Sequence, residues 1–226
     1  MDLAENPVLT PAQKILLARL GQSTLSEQFY FTGGTALAAL YLQHRLSEDI
    51  DFFTRETVPV ESVLGFLRAL PDVQKVEYER KFDRRLFLIR YLDGSAGKVE
   101  FTLYPFPQLE AAKVLEGIRL DSLRDILTNK LMAMTDRRDP KDYVDVYCAL
   151  RQDRQLEIDR LVGDAEAKFG IRGIEPILRG RFLDVPADLG ALKMREPVEP
   201  SVVKEFFAAI ARRWIARSVE GERGAK

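Results

Sequence analysis

A stretch in the first quarter of the chain changes from a strand-like pattern to a helix-like pattern. Residues 28–32 are aromatic and β-prone, and Leu37 and Tyr41 then follow at the spacing of one helix face. Gly33 and Gly34 separate the two patterns. Because glycine permits turns that a side chain would block, we predict that a strand passes directly into a helix N-terminus there.

Four later runs have the β-branched and aromatic composition of strands. A polar connection that contains Gly94 and Gly97 joins the last two of them as a hairpin. We therefore predict a meander that extends the sheet begun by the first strand. The predicted strands are residues 49–53, 73–80, 86–92 and 98–104.

Amphipathic spacing predicts helices before, between and after these strands. We expect residues 1–150 to form an α/β core. Residues 151–226 are charged, helical in pattern and interrupted by glycine and proline, which predicts a separate helical C-terminal region. Near the end of the last helix, Arg212, Arg213 and Arg217 are expected to complement the helix dipole, and binding of a polyanion is the alternative. The predicted helices begin near Pro11, Val60, Ser122, Pro140 and Ser201.

The composition is that of an ordinary globular protein. Of 226 residues, 46% are hydrophobic and 31% are charged, and the formal net charge is −1. This charge gives no general attraction to nucleic acid or anionic lipid, so a polyanion site has to be a local cluster of cations. No segment has the pattern of a membrane span, and the single cysteine, Cys148, cannot form an internal disulfide. We therefore predict a cytoplasmic protein.

The first candidate site is the predicted helix start at Gly33 and Gly34. A helix N-terminus presents unpaired backbone N–H groups and the positive end of the helix dipole, and both favour a phosphate. Thr35 adds a hydroxyl group. The sequence therefore predicts an anion-binding turn at these three residues.

Asp49 and Asp51 form a second candidate site. They are two residues apart in a predicted strand, so both carboxylates lie on one face and Ile50 and Phe52 lie on the other. Two like charges this close repel each other unless a cation lies between them. Carboxylates beside bound phosphates are ligands that Mg²⁺ prefers, which predicts metal-assisted nucleotide chemistry. In a later strand, the same alternation places Glu100 off the apolar face.

Two cations occupy unexpected positions on the predicted helix that follows Ser122. Lys130 falls within the stripe formed by Leu127 and Met134, and Arg137 lies near its edge. An unpaired buried ammonium group is strongly destabilising, so these side chains either snorkel to solvent or face a polar cleft where an anion meets them. We favour the cleft.

The helix after Pro140 carries two further acids. Tyr143 and Val146 mark its predicted buried face, Asp145 points nearly opposite to that face, and Asp142 lies at its boundary. Acids near a helix N-terminus often complement the dipole, so their positions alone do not predict a function.

In this order, the candidate residues resemble two motifs of a known family, the polymerase-β-like nucleotidyltransferases in the version carried by the AbiEii/AbiGii toxin family. The resemblance covers about residues 11–150 and leaves residues 151–226 unexplained. The first motif corresponds to Gly33, Gly34, Thr35, His44, Arg45, Ser47, Asp49 and Asp51. The downstream motif corresponds to Lys130, Arg137, Arg138, Lys141, Asp142 and Asp145.

The resemblance implies a polymerase-β-like nucleotidyltransferase core with a mixed sheet, and it implies roles for the motif residues. Two Mg²⁺ ions would be held by Asp49, Asp51 and Glu100. The implied catalytic residues are Asp49, Asp51, Glu100, Lys130 and Asp145. The implied nucleotide- and phosphate-binding residues are Gly33, Gly34, Thr35, His44, Arg45, Ser47, Lys130, Arg137 and Lys141.

The implied reaction moves a nucleoside monophosphate from a nucleoside triphosphate (NTP) to an acceptor, which is an RNA such as tRNA or a protein. The resemblance also implies the toxin of a bacterial toxin–antitoxin or phage-defence system, neutralised by a separately encoded antitoxin. Two other hypotheses stay open: a housekeeping nucleotidyltransferase that modifies a small molecule, and a non-catalytic nucleotide-binding module of the same fold.

Overall fold

The computed structural model describes residues 2–189 and 192–224. The chain divides into two compact units, the first ending at Ile126 and the second beginning at Leu127. This division differs from the predicted boundary after residue 150. The aromatic side chains of Tyr143 and Tyr147 pack against Phe207 and Phe206, so this helix belongs with the later helices. As the limit of the nucleotidyltransferase core, the boundary at residue 150 stays a prediction.

The described part of the first unit contains three complete α-helices, a 3-10 helix at Thr24–Glu27 and seven strands. The helices are α1 at Pro11–Gly21, α2 at Gly33–Ala36, which continues as a π-helical segment at Leu37–Leu42, and α3 at Val60–Arg68. The strands are β1 at Tyr30–Thr32, β2 at Asp49–Thr54, β3 at Val73–Lys81, β4 at Arg84–Tyr91, β5 at Ala96–Leu103, β6 at Lys113–Leu115 and β7 at Ile118–Leu120.

These strands form one mixed sheet in the order β3-β4-β5-β2-β1-β7-β6. The β2 strand is parallel to β5, and β1 is parallel to β7, whereas the β1–β2 pair and the β3–β4–β5 meander are antiparallel. The predicted α/β class, mixed sheet and meander are confirmed. Because β2 lies between β5 and β1, its side chains have neighbours on both sides.

One face of the sheet forms an aromatic core. Phe31 of β1, Phe52 of β2 and Phe101 of β5 are completely buried, and the ring of Phe52 lies 5.6 Å from that of Phe31 and 5.1 Å from that of Phe101. Burial of each ring stabilises the fold by roughly 1.5–3 kcal/mol. A register slip of one residue would turn these rings to the opposite face of the sheet and turn Asp51 and Glu100 into the aromatic core, so the aromatic face fixes the position of the acidic face.

The second unit is helical, as predicted for the C-terminal region. Its core contains Trp214 and Phe207, whose rings lie 5.3 Å and 4.7 Å from the ring of Phe182. In the described part of the chain, no helix is both long and apolar enough to cross a membrane. The helices are α4 at Leu123–Asp136, which begins in the first unit, α5 at Pro140–Gln152, α6 at Ile158–Phe169, α7 at Ile174–Leu183 and α8 at Pro200–Gly224.

Arg212, Arg213 and Arg217 of α8 bind carboxylates instead of the end of their own helix. Arg213 and Arg217 lie 3.2 Å and 2.8 Å from Asp159 of α6, and the indole N–H of Trp214 donates to the same carboxylate. Arg212 pairs with Glu205. The expected dipole role is wrong because α8 continues to Gly224, beyond these arginines. Asp159 therefore links α8 to α6 through ion pairs and a hydrogen bond.

Candidate active site

The strand β1 passes directly into α2 at Gly33, as predicted. Gly33 has a φ of +73°, which lies in the left-handed region that favours glycine. A Cβ atom at Gly33 would lie 2.9 Å from Cβ and Cγ of Asp51. The backbone conformation and the neighbouring carboxylate therefore both require glycine at this position.

Gly34 leaves room for a buried cation. A Cβ atom at Gly34 would lie 2.7 Å from Nη2 of Arg45 and 3.5 Å from Oγ of Ser47. Arg45 is only 2% exposed, and its Nη1 donates to the carbonyl of Leu46 at 3.1 Å. The structure thus brings three first-motif residues together at the helix start. The phosphate contacts of Arg45, Ser47 and the half-buried His44 stay predictions.

Hydrogen bonds from Thr35 and from α1 hold the backbone of the loop before β2 and of its first residue. The buried hydroxyl of Thr35 donates to the backbone carbonyl of Asp49. From α1, the Gln13 amide donates to the carbonyls of Ser47 at 2.8 Å and Glu48 at 3.1 Å. Thr35 therefore positions Asp49, and its predicted contact with a phosphate is a further role that stays a prediction.

Three carboxylates lie on the face of the sheet opposite the aromatic core. Asp49 and Asp51 are half-buried, whereas Ile50 and Phe52 between and beyond them are buried, which confirms the predicted alternation. Glu100 lies directly opposite Asp51 in the parallel β2–β5 pair. Residues in register on neighbouring strands share a face, so the structure places the three predicted metal ligands side by side.

Two cations that the sequence analysis missed bind these carboxylates. Lys98 is in register with Asp49, and its Nζ lies 2.7 Å from Asp49 Oδ2. Arg84 of β4 donates from Nε and Nη2 to the two oxygens of Glu100, and the Thr102 hydroxyl donates to Glu100 Oε1 at 3.0 Å. Lys98 could have been found from its position two residues before Glu100. Arg84 could not have been found from the sequence, because its contact with Glu100 depends on the pairing register of β4 and β5.

The chemistry of the donors fits a divalent cation of the Mg²⁺ class, since all three side chains offer carboxylate oxygens on one face. Among residues 2–189 and 192–220, however, no three acidic, histidine or cysteine side chains converge in the arrangement of a metal site. In this structure, Lys98 and Arg84 bind Asp49 and Glu100 instead. The assignment of Asp49, Asp51 and Glu100 to two Mg²⁺ ions therefore stays a prediction.

The second unit contains a buried charge cluster on α4 and α5. Lys130 Nζ lies 2.7 Å from Asp145 Oδ2 and 3.1 Å from Asp142 Oδ1. Arg137 donates from Nε to Asp142 Oδ2 at 2.8 Å and from Nη2 to Asp142 Oδ1 at 3.2 Å. Both aspartates and Lys130 are buried, whereas 56% of the Arg137 side chain is exposed. Lys141 lies outside the cluster, exposed and 3.7 Å from Asp139.

This cluster corrects the predicted orientation of the acids on α5. Asp145 does not point away from the core, and Asp142 does not lie at its boundary, since both are completely buried. Helical spacing predicts the buried face from apolar residues alone, but a buried ammonium group provides a partner for inward-facing carboxylates. Burial alone would raise the pKa of Asp142, but the charges of Lys130 and Arg137 hold that pKa below its ordinary value.

The cluster also rules out the snorkelling interpretation of Lys130. Its ammonium group does not snorkel to solvent, and the anions that meet it belong to this chain, namely Asp142 and Asp145. Asp142, a residue of the downstream motif to which the resemblance gave no role, binds both Lys130 and Arg137. This role was missed because it depends on the packing of α5 against α4.

Comparison with known proteins identifies a family that matches this chain. A family model described as nucleotidyl transferase AbiEii toxin, type IV TA system, matches residues 15–213. The uncharacterized protein aq_aa25 of Aquifex aeolicus (strain VF5) is 32% identical over 148 residues, which are 64% of this chain and 68% of that protein. The crystal structure of JHP933 from Helicobacter pylori has a TM-score of 0.61 at 20% identity and covers 95% of this chain and 94% of its own. That likeness concerns the fold.

Proposed function

We propose a reaction for this chain, which belongs to the AbiEii family of nucleotidyl transferase toxins of type IV toxin–antitoxin systems. The chain transfers a nucleoside monophosphate from an NTP to an RNA or protein acceptor with Mg²⁺. The single observation that best supports this reaction is the arrangement of Asp49, Asp51 and Glu100 on one sheet face, with Asp51 packed against the helix start at Gly33. We also propose that the protein acts in the cytoplasm and that an antitoxin binds it.

The phosphates of the NTP are proposed to bind at the start of α2. Backbone N–H groups in a first helical turn have no partner within the helix and favour an anion. The guanidinium group of Arg45, held against Gly34, adds a positive charge directly beside this turn. Ser47 Oγ, on the same side of Gly34, would donate a hydrogen bond, and His44 would contribute from the preceding position.

Asp49, Asp51 and Glu100 would hold the metal. When bound, Mg²⁺ neutralises charge on the transferred phosphoryl group and helps to activate the acceptor hydroxyl. The chain contributes precise positioning of these ligands: Thr35 fixes the backbone at Asp49, Gly33 leaves room for Asp51, and β-sheet register fixes Glu100 opposite Asp51. Such positioning lowers the cost of assembling the charged transition state.

Lys130, Arg137 and Lys141 are proposed to contact the triphosphate or the acceptor, and Asp145 to orient the acceptor. These roles rest on the motif resemblance. The cluster supports a positioning role for Asp142, which binds Lys130 and Arg137 through one carboxylate. Arg137 is the member whose exposed side chain is suited to a contact with substrate.

The reaction is tested by incubating the protein with each α-labelled NTP, Mg²⁺ and cell extract, and then treating the products with ribonuclease or with protease. We expect label in a macromolecular fraction, removed by one of the two treatments and absent when EDTA is added. Label released by ribonuclease identifies an RNA acceptor, and label released by protease identifies a protein. Label that stays in small molecules would favour the housekeeping alternative.

A further inference from the structure

The cations beside the three carboxylates have a definite geometry. Lys98 and Asp49 are in register on β5 and β2, so the ammonium group reaches its carboxylate straight across the strands. Arg84 is in register with Thr102 and reaches along the sheet to Glu100, two residues away. Both cations lie on the acidic face of the sheet, and each binds one of the proposed metal ligands.

The two partners of the Arg84 pair differ in exposure. The Glu100 side chain is 7% exposed, whereas the Arg84 side chain is 48% exposed. Glu100 is therefore fixed by its strand and by Thr102, while the guanidinium group lies at the surface on a flexible stem. Arginine and lysine side chains can move their charge by several bond rotations without moving the backbone.

A divalent cation and these two side chains compete for the same oxygens. The Lys98 and Asp49 side chains are 31% and 37% exposed, and an ion pair this exposed contributes little to stability, so the fold does not oppose its exchange for a divalent cation. Glu100 is buried, so a cation that replaces the Arg84 guanidinium group keeps this carboxylate paired. Once displaced, an arginine and a lysine remain beside the carboxylates, where an NTP would bring three phosphates. Guanidinium groups bind phosphate oxygens through two parallel hydrogen bonds, and ammonium groups bind them as point charges.

We propose that Lys98 and Arg84 exchange partners when substrate binds: they neutralise Asp49 and Glu100 beforehand and bind the phosphates of the metal-bound NTP afterwards. This inference rests on the proposed function. It assigns phosphate binding to Lys98 and Arg84, which belong to neither of the two motifs.

The exchange predicts opposite effects on two ligands. In Lys98→Met and Arg84→Met, Mn²⁺ added alone should bind about tenfold more tightly, because a competing charge within about 4–6 Å of a carboxylate has been removed. Inorganic tripolyphosphate in saturating Mg²⁺ should bind about tenfold more weakly, because a phosphate ligand has been lost. Mn²⁺ binding is measured by electron paramagnetic resonance, and tripolyphosphate binding by calorimetry.

Arg90→Met and Lys75→Met are matched controls, since these cations lie on the same face but contact Glu77 at 3.9 Å and 2.7 Å. Both controls should bind like the parent. Should a methionine variant fail to fold, Lys98→Gln and Arg84→Gln repeat the test. If the parent binds both probes and the variants match it, the exchange is wrong and the proposed function stands. If the parent binds neither probe, both are wrong.

Discussion

Gly33 and Asp51 pack directly against each other, so that a Cβ atom at Gly33 would lie 2.9 Å from Cγ of Asp51. The glycine turn and the Asp-x-Asp strand are therefore one structural unit. A phosphate at the turn and a metal at the strand would share the same small space, which is the arrangement that metal-assisted transfer of a nucleotide requires.

Gly33→Ala should reduce activity and stability together. The methyl group would collide with Asp51, and alanine in a left-handed conformation costs roughly 1–2 kcal/mol. Urea unfolding and the labelled-NTP assay measure the two effects. Gly65→Ala in α3 is the control, because a Cβ atom there meets nothing within 4 Å, and it should stabilise the protein by roughly 0.5–1 kcal/mol with full activity. Full activity of the Gly33→Ala variant would contradict the assignment of this glycine turn to the active site.

Gly34→Val should remove NTP binding while the fold persists. Gly34 does not have the positive φ of Gly33, so the effect comes from the side chain, whose Cβ atom would displace the Arg45 guanidinium group 2.7 Å away. Calorimetry with ATP, GTP, CTP and UTP measures the affinities, and circular dichroism confirms the fold. Unchanged affinities for all four nucleotides would remove this turn from the phosphate site.

Lys130→Met should strongly destabilise the protein, because it leaves the buried carboxylate of Asp145 without the Lys130 ammonium group. Breaking a buried ion pair in this way costs about 3–5 kcal/mol. The double variant Lys130→Met/Asp145→Leu should recover part of the loss, and the exposed control Lys141→Met should change little. A double-mutant cycle by urea unfolding checks this. Equal stability of Lys130→Met and the parent would show that the cluster is not energetically coupled.

The ion pairs of Asp142 with Lys130 and Arg137 should make the free energy of unfolding depend on pH in the acidic range. Because the folded-state pKa of Asp142 lies below its ordinary value of 3.8, its contribution is complete above that value and is lost as the pH falls through the folded pKa. Unfolding free energy measured between about pH 6 and pH 2 should fall less steeply in Asp142→Asn than in the parent below about pH 4. Parallel curves would contradict the assigned charge pairing.

The sequence predicted the parts of the fold that follow from periodicity and from glycine. The alternation in Asp49–Thr54, the helix start at Gly33 and the meander were confirmed because each depends on local steric rules. The buried positions of Asp142 and Asp145 were not predicted, since a charged residue becomes a core residue only when a distant partner, here Lys130, neutralises it.

Register explains what the sequence could and could not predict about the candidate site. That Asp49, Asp51 and Glu100 leave the apolar faces of their strands followed from alternation, but that Glu100 lies opposite Asp51 depends on how β2 and β5 pair. The same holds for Arg84, which reaches Glu100 only through the β4–β5 register. Side-chain pairing across strands needs the three-dimensional structure.

The most direct test of the central claim is the rate of labelled-NMP transfer by Asp51→Asn compared with the parent in saturating Mg²⁺. Asparagine keeps the size of the side chain but removes its charge, so the fold should persist while a metal ligand is lost. Glu77→Gln is the control, because it also replaces a carboxylate by its amide but lies on β3, where it contacts Lys75 and Arg90. We predict a rate reduction of at least about 10²-fold in Asp51→Asn and parent-like activity in Glu77→Gln. Transfer by Asp51→Asn at the parent rate would contradict the assignment of this face as the active site.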